Sequence, residues 1–139
     1  MRQEIRHFEI ATRGPGAVAC TTPVVDWVRS TGIQTGLLTL HLRHTSASLL
    51  IQENADPEVM YDLERFFERL APPGDPLFRH TAEGPDDMPA HIRAALTPTT
   101  LSIPVQDGEP VLGTWQGIFL YEHRKRPHRR VLVAHLLGE

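Results

Sequence analysis

"TLSIPVQDGEPVLGTWQGIFLYEHRKRPHRRVLVAHLL", residues Thr100–Leu137, decides the fold. "TLSIPV" reads as a strand, Asp107-Gly108 is a hairpin turn signal, and "VLGTWQGIFLYEH" reads as the strand that returns. The polar "RKRPHRR" then turns the chain into a closing strand, "VLVAHLL". Three strands in succession predict an antiparallel meander and argue against a parallel, doubly wound sheet.

Working back from the meander, helices and strands are interspersed. Glu4–Thr12 reads as a first strand. In "TTPVVDWVRSTG", Thr22 is placed to cap a helix, Pro23 fits its first turn and Gly32 ends it. "LLTLHLRHTSASLLIQEN" is apolar and rich in hydroxyls, which fits one bent strand or two short ones. Asp56 caps the next helix with Pro57 in its first position. Val59, Leu63, Phe66, Phe67 and Leu70 follow at the spacing of a buried stripe. Pro72-Pro73-Gly74 breaks that helix. A shorter one runs from about Asp87 to Thr97-Pro98, where the proline disfavours helical geometry in the residue before it. The expectation is an α+β fold: a compact single domain over residues 1–139, mainly antiparallel sheet packed with two to three helices.

Composition narrows the function classes. A chain of 139 residues suits one domain with a single core. A net charge of -3 gives no reason to invoke nucleic acid or a membrane as partner. Cys20 is the sole cysteine, which excludes an internal disulfide and a four-sulfur zinc site. The charged N-terminus does not read as a signal peptide, and no apolar run approaches the ~20 residues needed to span a bilayer. A cytoplasmic location is expected.

Three stretches concentrate polar chemistry. In "RHTSASLLIQEN", His44, Thr45, Ser46 and Ser48 place an imidazole and three hydroxyls on or beside a strand, with Glu53 and Asn54 just before a helix start. Such donors suit a phosphate, although Ser and Thr also bond locally in strands and turns. In "HTAEGPDDMPAHI", Asp87 and His91 are four apart and share a helix face. One of Asp86 and Asp87 is expected to cap that helix with its side-chain oxygen. Capping does not explain Glu83, His80 and His91 together; imidazole and carboxylate are the usual ligands of zinc-like ions. In "GTWQGIFLYEH", two glycines flank Trp115-Gln116, which suggests close approach of a backbone or ligand, and Glu122-His123 at the strand end suggests a pocket rim.

Taken in order, "HTSASLLIQENADP", "EGPDDMPAHI", "LSIPVQDGEPVLGTWQGIFLYEH" and the final "GE" resemble the YjbQ family of secondary thiamine-phosphate synthase-like proteins, from about Ile5 to Glu139. The resemblance implies an α+β fold, a homotrimer, and a site near subunit boundaries where histidines hold a metal or an anion. The matching positions are His44, Thr45, Ser46, Glu53, Asn54, His80, Glu83, Asp86, Asp87, His91, Trp115, Gln116, Glu122 and His123. Where the family often has a cysteine before its Glu-His pair, Tyr121 stands here, which argues against a thiol role.

The associated activity joins a pyrimidine pyrophosphate to a thiazole phosphate. It expels pyrophosphate, so charge on the leaving oxygens must be stabilised. The resemblance and the density of polar groups together lead to the following expectations. Three of His44, His80, His91 and His123 would bind a divalent metal, zinc or magnesium. Glu53, Glu83 or Asp87 would act as acid, base or orienting group. Thr45, Ser46, Asn54, Trp115 and Gln116 would contact a small phosphorylated substrate, with Arg43 or Arg124 as further anion donors. Two alternatives use the same residues: a metal-dependent hydrolase of another phosphorylated or amide substrate, and a non-catalytic trimeric binding protein whose histidines are structural.

Overall fold

The computed structural model describes residues 1–139. In chain order its elements are β1 (Arg2–Thr12), β2 (Gly16–Ala19), α1 (Thr21–Thr31), β3 (Gly36–Leu42), β4 (Ala47–Glu53), α2 (Pro57–Leu70), α3 (Asp87–Leu96), β5 (Thr100–Gln106), β6 (Glu109–Pro110), β7 (Gln116–Glu122) and β8 (His128–Gly138). They form a five-stranded sheet in the order β1-β8-β3-β5-β6 and a three-stranded sheet in the order β2-β7-β4. Every pairing is antiparallel. The expected α+β class, with mainly antiparallel sheet and three helices, is therefore what the chain forms.

The core lies between the sheets. Leu38, Leu40 and Leu42 of β3 and Leu132, Ala134 and Leu136 of β8 point inward from the larger sheet. Leu49 of β4 and Ile118 and Leu120 of β7 join the same cluster from the smaller one. Alternation along each strand supplies these inward rows. Val24, Trp27 and Val28 of α1 complete the cluster.

The structure differs from the sequence expectation in the strand pairing, the start of α1 and the burial of α2. The last three long strands are not one meander. β5 pairs with β3, β7 with β2 and β4, and β8 with β1 and β3. The Asp107-Gly108 hairpin is real, with φ of 53° and 77°, but the strand it returns is only β6. The segment Leu37–Asn54 takes the second of its two expected forms, two short strands, β3 and β4, which lie in different sheets. Thr22 does not cap α1; the helix starts at Thr21, and the Thr21 hydroxyl accepts from the Ile118 amide at 2.9 Å, tying the helix to β7 instead. The α2 stripe is not buried as a whole: Phe67 is, but Phe66 and Leu70 are about half exposed. The Asp56 cap and Pro57 start stand as expected, with Asp56 Oδ1 accepting from Glu58 N at 3.0 Å.

A histidine-carboxylate cluster at the start of α3

The loop that leads into α3, the turn between β3 and β4, and the turn between β7 and β8 converge on one place. His80 Nε2 lies 2.6 Å from Asp87 Oδ2, and His91 Nε2 lies 3.0 Å from the same oxygen. The two imidazole rings meet edge to face with centroids 5.2 Å apart. Asp87 and His91 share a helix face because they are one turn apart, and the loop folds His80 back over them. One ligand atom from each of the three residues lies within 4.8 Å of the others.

Arg124 holds this arrangement from behind. Its Nη1 donates to Asp87 Oδ1 at 2.6 Å, Nε to Asp86 Oδ2 at 3.0 Å and Nη2 to the Glu83 carbonyl at 2.9 Å. Asp86 Oδ2 also accepts from the Lys125 amide at 3.0 Å. Neither aspartate therefore caps α3 through its side chain, contrary to the sequence expectation; Asp86 occupies the cap position with its carboxylate turned to Arg124. Burial alone would raise the Asp87 carboxyl, yet the hydrogen bond from His80 and the charge of Arg124 hold it below its ordinary value.

The tautomer of His91 matters. Its Nδ1 lies 3.0 Å from the Thr45 carbonyl oxygen, which can only accept, so Nδ1 carries a proton. In a neutral ring Nε2 then presents a lone pair to the Asp87 carboxylate 3.0 Å away. Two acceptors at that distance require a positive charge between them, either a second ring proton or a metal cation. The Thr45 carbonyl is the kind of second partner that orients metal-ligating histidines. The donor set of His80, Asp87 and His91 thus fits a divalent metal of the zinc type, with coordination positions left for water or substrate.

Glu83 stands at the rim, its side chain mostly exposed and Oε2 4.0 Å from His80 Nε2. His44 lies outside the cluster: its Nε2 accepts from the Val131 amide at 2.9 Å, and burial, then the charge of Arg130, disfavours its protonation. His123 is 3% exposed and bonds Ser48 through Nε2 at 2.9 Å, so it is not brought to His80 and His91 either. Ser46 Oγ accepts from Arg130 Nη2 at 3.0 Å, and Thr45 contributes its carbonyl to His91. Glu53, Asn54, Trp115 and Gln116 form a separate group at the opposite end of the β4–β7 pair. Glu53 faces Gln116 six residues from the Ala47–Glu122 pair, on the order of 20 Å away. There Asn54 Nδ2 donates to the Thr114 carbonyl at 3.1 Å, and Gln116 Oε1 accepts from the Gly113 amide at 2.8 Å. Glu122 is no rim residue. It is fully buried and ion-paired to Arg130, with Arg130 Nε 2.7 Å from Oε2.

Two clefts adjoin the cluster. One, of about 490 Å³, is lined by His41, Arg43, His44, Thr45, Ser46, Thr99 and Arg130. The other, of about 390 Å³, is lined by Glu83, Arg124, Arg126 and His128. Both carry cationic side chains beside the histidines. A larger concavity of about 640 Å³ follows the exposed side of α2, but its lining comes from one helix and brings no groups to a common point. The sequence points to Arg124 only as an anion donor; its partners lie 37 to 41 residues away, so no local spacing signals its clamping role.

Comparison with known proteins agrees with this architecture. The family profile described as UPF0047 protein YjbQ-like matches residues 6–139. A UPF0047 protein of Synechocystis is 51% identical over 138 residues, covering 99% of this chain and 94% of its own. YjbQ of Escherichia coli O157:H7 is 49% identical over 107 residues, covering 77% of each chain. The crystal structure of the hypothetical protein APE1520 of Aeropyrum pernix superimposes with a TM-score of 0.89 at 31% identity, covering 98% of this chain and 99% of that one.

Proposed function

The chain belongs to the YjbQ-like UPF0047 family, and from that premise we propose a small-molecule enzyme with a metal-assisted site at His80, Asp87 and His91. The reaction we assign is of the secondary thiamine-phosphate synthase type, which joins a pyrimidine pyrophosphate to a thiazole phosphate. The observation that carries the metal site is the fixed orientation of His91, whose Nδ1 is committed to Thr45 and whose Nε2 faces Asp87 beside His80. The substrate pair rests on the family resemblance.

His80, Asp87 and His91 would hold the cation, which supplies Lewis-acid stabilisation of charge on the leaving diphosphate oxygens. Arg124 keeps Asp87 ionised and oriented but is committed to that task, so anion binding falls to Arg43, Arg126 and the hydroxyls of Thr45 and Ser46. Glu83, exposed at the rim, is placed for proton transfer. Glu53 and Trp115 do not enter this scheme within one chain. The resulting positive field on one side of the cluster suits a phosphorylated substrate.

One observation favours a second reading. Asp87 already accepts from Arg124 and lies within hydrogen-bond distance of both His80 and His91, so the network could serve structure in a trimeric binding protein. Metal analysis of protein purified without a histidine tag separates the two. Near-stoichiometric zinc or a similar ion, lost in His91→Ala while the variant stays folded, is the expected result. No metal in either protein, with a lower melting temperature for the variant, would sink the site. With metal bound, thiamine phosphate formation is then assayed. Hydrolysis of phosphate or amide substrates without that coupling would instead make the protein a hydrolase.

A further inference from the structure

The cleft of about 490 Å³ beside the turn between β3 and β4 has Arg43, His44, Thr45, Thr99 and Arg130 in its wall and no carboxylate. His44 Nε2 lies 2.9 Å from the Val131 amide nitrogen. An amide N–H can only donate, so Nε2 is unprotonated and the neutral ring carries its proton on Nδ1. That nitrogen lies 3.4 Å from Arg130 Nη1, and a guanidinium nitrogen can only donate as well. The two N–H groups therefore make no hydrogen bond to each other, and the chain supplies neither with another acceptor.

Both donors are fixed from behind. Arg130 Nε donates to Glu122 Oε2 at 2.7 Å, and Nη2 donates to Glu122 Oε1 and to Ser46 Oγ. Nη1 alone is left over, on the side of the guanidinium that meets His44. The Val131 amide likewise sets the plane and tautomer of the His44 ring. Polar groups inside proteins are nearly always matched, so two unmatched donors side by side on one cleft wall call for an acceptor from outside. Arg43 and Thr45, both exposed on the same wall, add a mobile positive charge and a hydroxyl.

We propose that this cleft binds a phosphate monoester group, with His44 Nδ1–H and Arg130 Nη1–H as its fixed donors and Arg43 as its counter-charge. A monoester presents three acceptor oxygens and about two negative charges, enough to meet the donor pair, Arg43 and the Thr45 hydroxyl together. A phosphodiester or a carboxylate lacks one of those oxygens and one of the charges. The choice of a phosphorylated ligand rests on the function proposed above; the unmatched donors do not. Thr45 joins the two places, since its carbonyl accepts from His91 Nδ1. A phosphate seated here lies beside the His80–Asp87–His91 cluster but is held by side chains alone and needs no metal.

Methyl phosphate and dimethyl phosphate test this, because the second methyl removes a terminal oxygen and a charge. Long-range proton–nitrogen correlation spectra of histidine-labelled protein report which nitrogen of His44 is protonated. The proton is expected on Nδ1 in the free protein, and Nδ1 is expected to shift saturably with methyl phosphate. Dimethyl phosphate should bind about tenfold more weakly by calorimetry, the loss of one hydrogen bond to a charged group. His44→Gln keeps an acceptor for the Val131 amide, removes Nδ1–H and is expected to weaken methyl phosphate by about the same factor. Arg43→Ala, at an exposed position, is expected to weaken it about threefold, which keeps the test decisive if His44→Gln fails to fold. Affinity is expected to be unchanged when ortho-phenanthroline, a neutral chelator, is present. Binding lost to the chelator would put the anion on the metal, overturning this site while supporting the cluster. Protein that holds no metal yet binds methyl phosphate would sink the cluster and keep this site. A proton on His44 Nε2, an equal response to both esters, full affinity in both variants, or no response to methyl phosphate would overturn the proposal.

Discussion

Glu122 has no solvent contact, yet it accepts from Thr12, from Arg130 twice, and from the amides of His123 and Arg124. Burial works to raise its carboxyl, but the Arg130 and Thr12 hydrogen bonds hold it below its ordinary value. Glu122→Gln keeps the shape and strands the Arg130 charge, which is 4% exposed. A loss of roughly 3–5 kcal/mol in urea unfolding is expected, with part recovered when Arg130→Met is added. A loss under about 1 kcal/mol would show that the pair carries little of the stability. His123 makes stability depend on pH in a definite direction. Burial, reinforced by the Arg93 charge, pushes its ring from 6.5 down to about 3. Between those values the unfolded chain takes up a proton that the folded chain refuses, so stability rises with pH from about 3 to 6.5 and this contribution is flat above. The ring contributes at most about 1.4 kcal/mol per pH unit in that window. Unfolding at pH 5 and pH 7.5 checks this, and His123→Gln should flatten the slope; an equal slope in both proteins would assign the effect to other groups.

At the scale of elements, the junction of β3 and β8 permits no side chain. A Cβ on Gly36 would stand 2.3 Å from the Leu137 carbonyl oxygen, a backbone atom that cannot swing aside. Gly36→Ala is therefore expected to cost more than about 3 kcal/mol, read as a lowered melting temperature, while Gly74→Ala, where nothing lies within 4 Å, loses only the ease of a positive φ. That contrast also explains what was legible beforehand. α2, with Asp56 and Pro57 at its start, could be read because cap, proline and stripe lie within a few residues of one another. Strand partners could not. β7 alternates like the return arm of a hairpin from β5, yet it pairs with β4 and β2, because alternation gives a strand its faces but not its neighbours. The candidate site divides the same way. Asp87 and His91 could be paired from helical spacing, whereas the exclusion of His44 depends on the Val131 amide 87 residues away. Arg93 Nε and His123 Nδ1, the two buried side-chain polar atoms without a hydrogen-bond partner, have no sequence signal, since each is defined by what fails to reach it.

Among the exposed apolar side chains of the whole molecule, those on the larger sheet and those on α2 form groups of neighbours. The inner face of the larger sheet is core, but on its outer face Leu37 is opposite Leu137, which is opposite Gln3, two residues from Ile5. Ile5, Leu37 and Leu137 stay 64%, 46% and 41% exposed. On α2, Phe66 and Leu70 share a face one turn apart and are also half exposed. Apolar surface of this kind marks interaction sites. A two-fold dimer needs one self-complementary patch, whereas a ring of three needs two different patches that fit each other. Two separate apolar patches are what a three-fold ring calls for, so the homotrimer implied by the family resemblance is expected to seat the sheet face of one copy against α2 of the next. Sedimentation should give a trimer for the natural chain and monomers for Leu37→Asp and for Phe66→Asp. Each variant keeps one sound patch, so mixing the two should produce a dimer that neither forms alone. A monomeric natural chain would remove the ring, and variants that both remain trimeric would place the interface elsewhere.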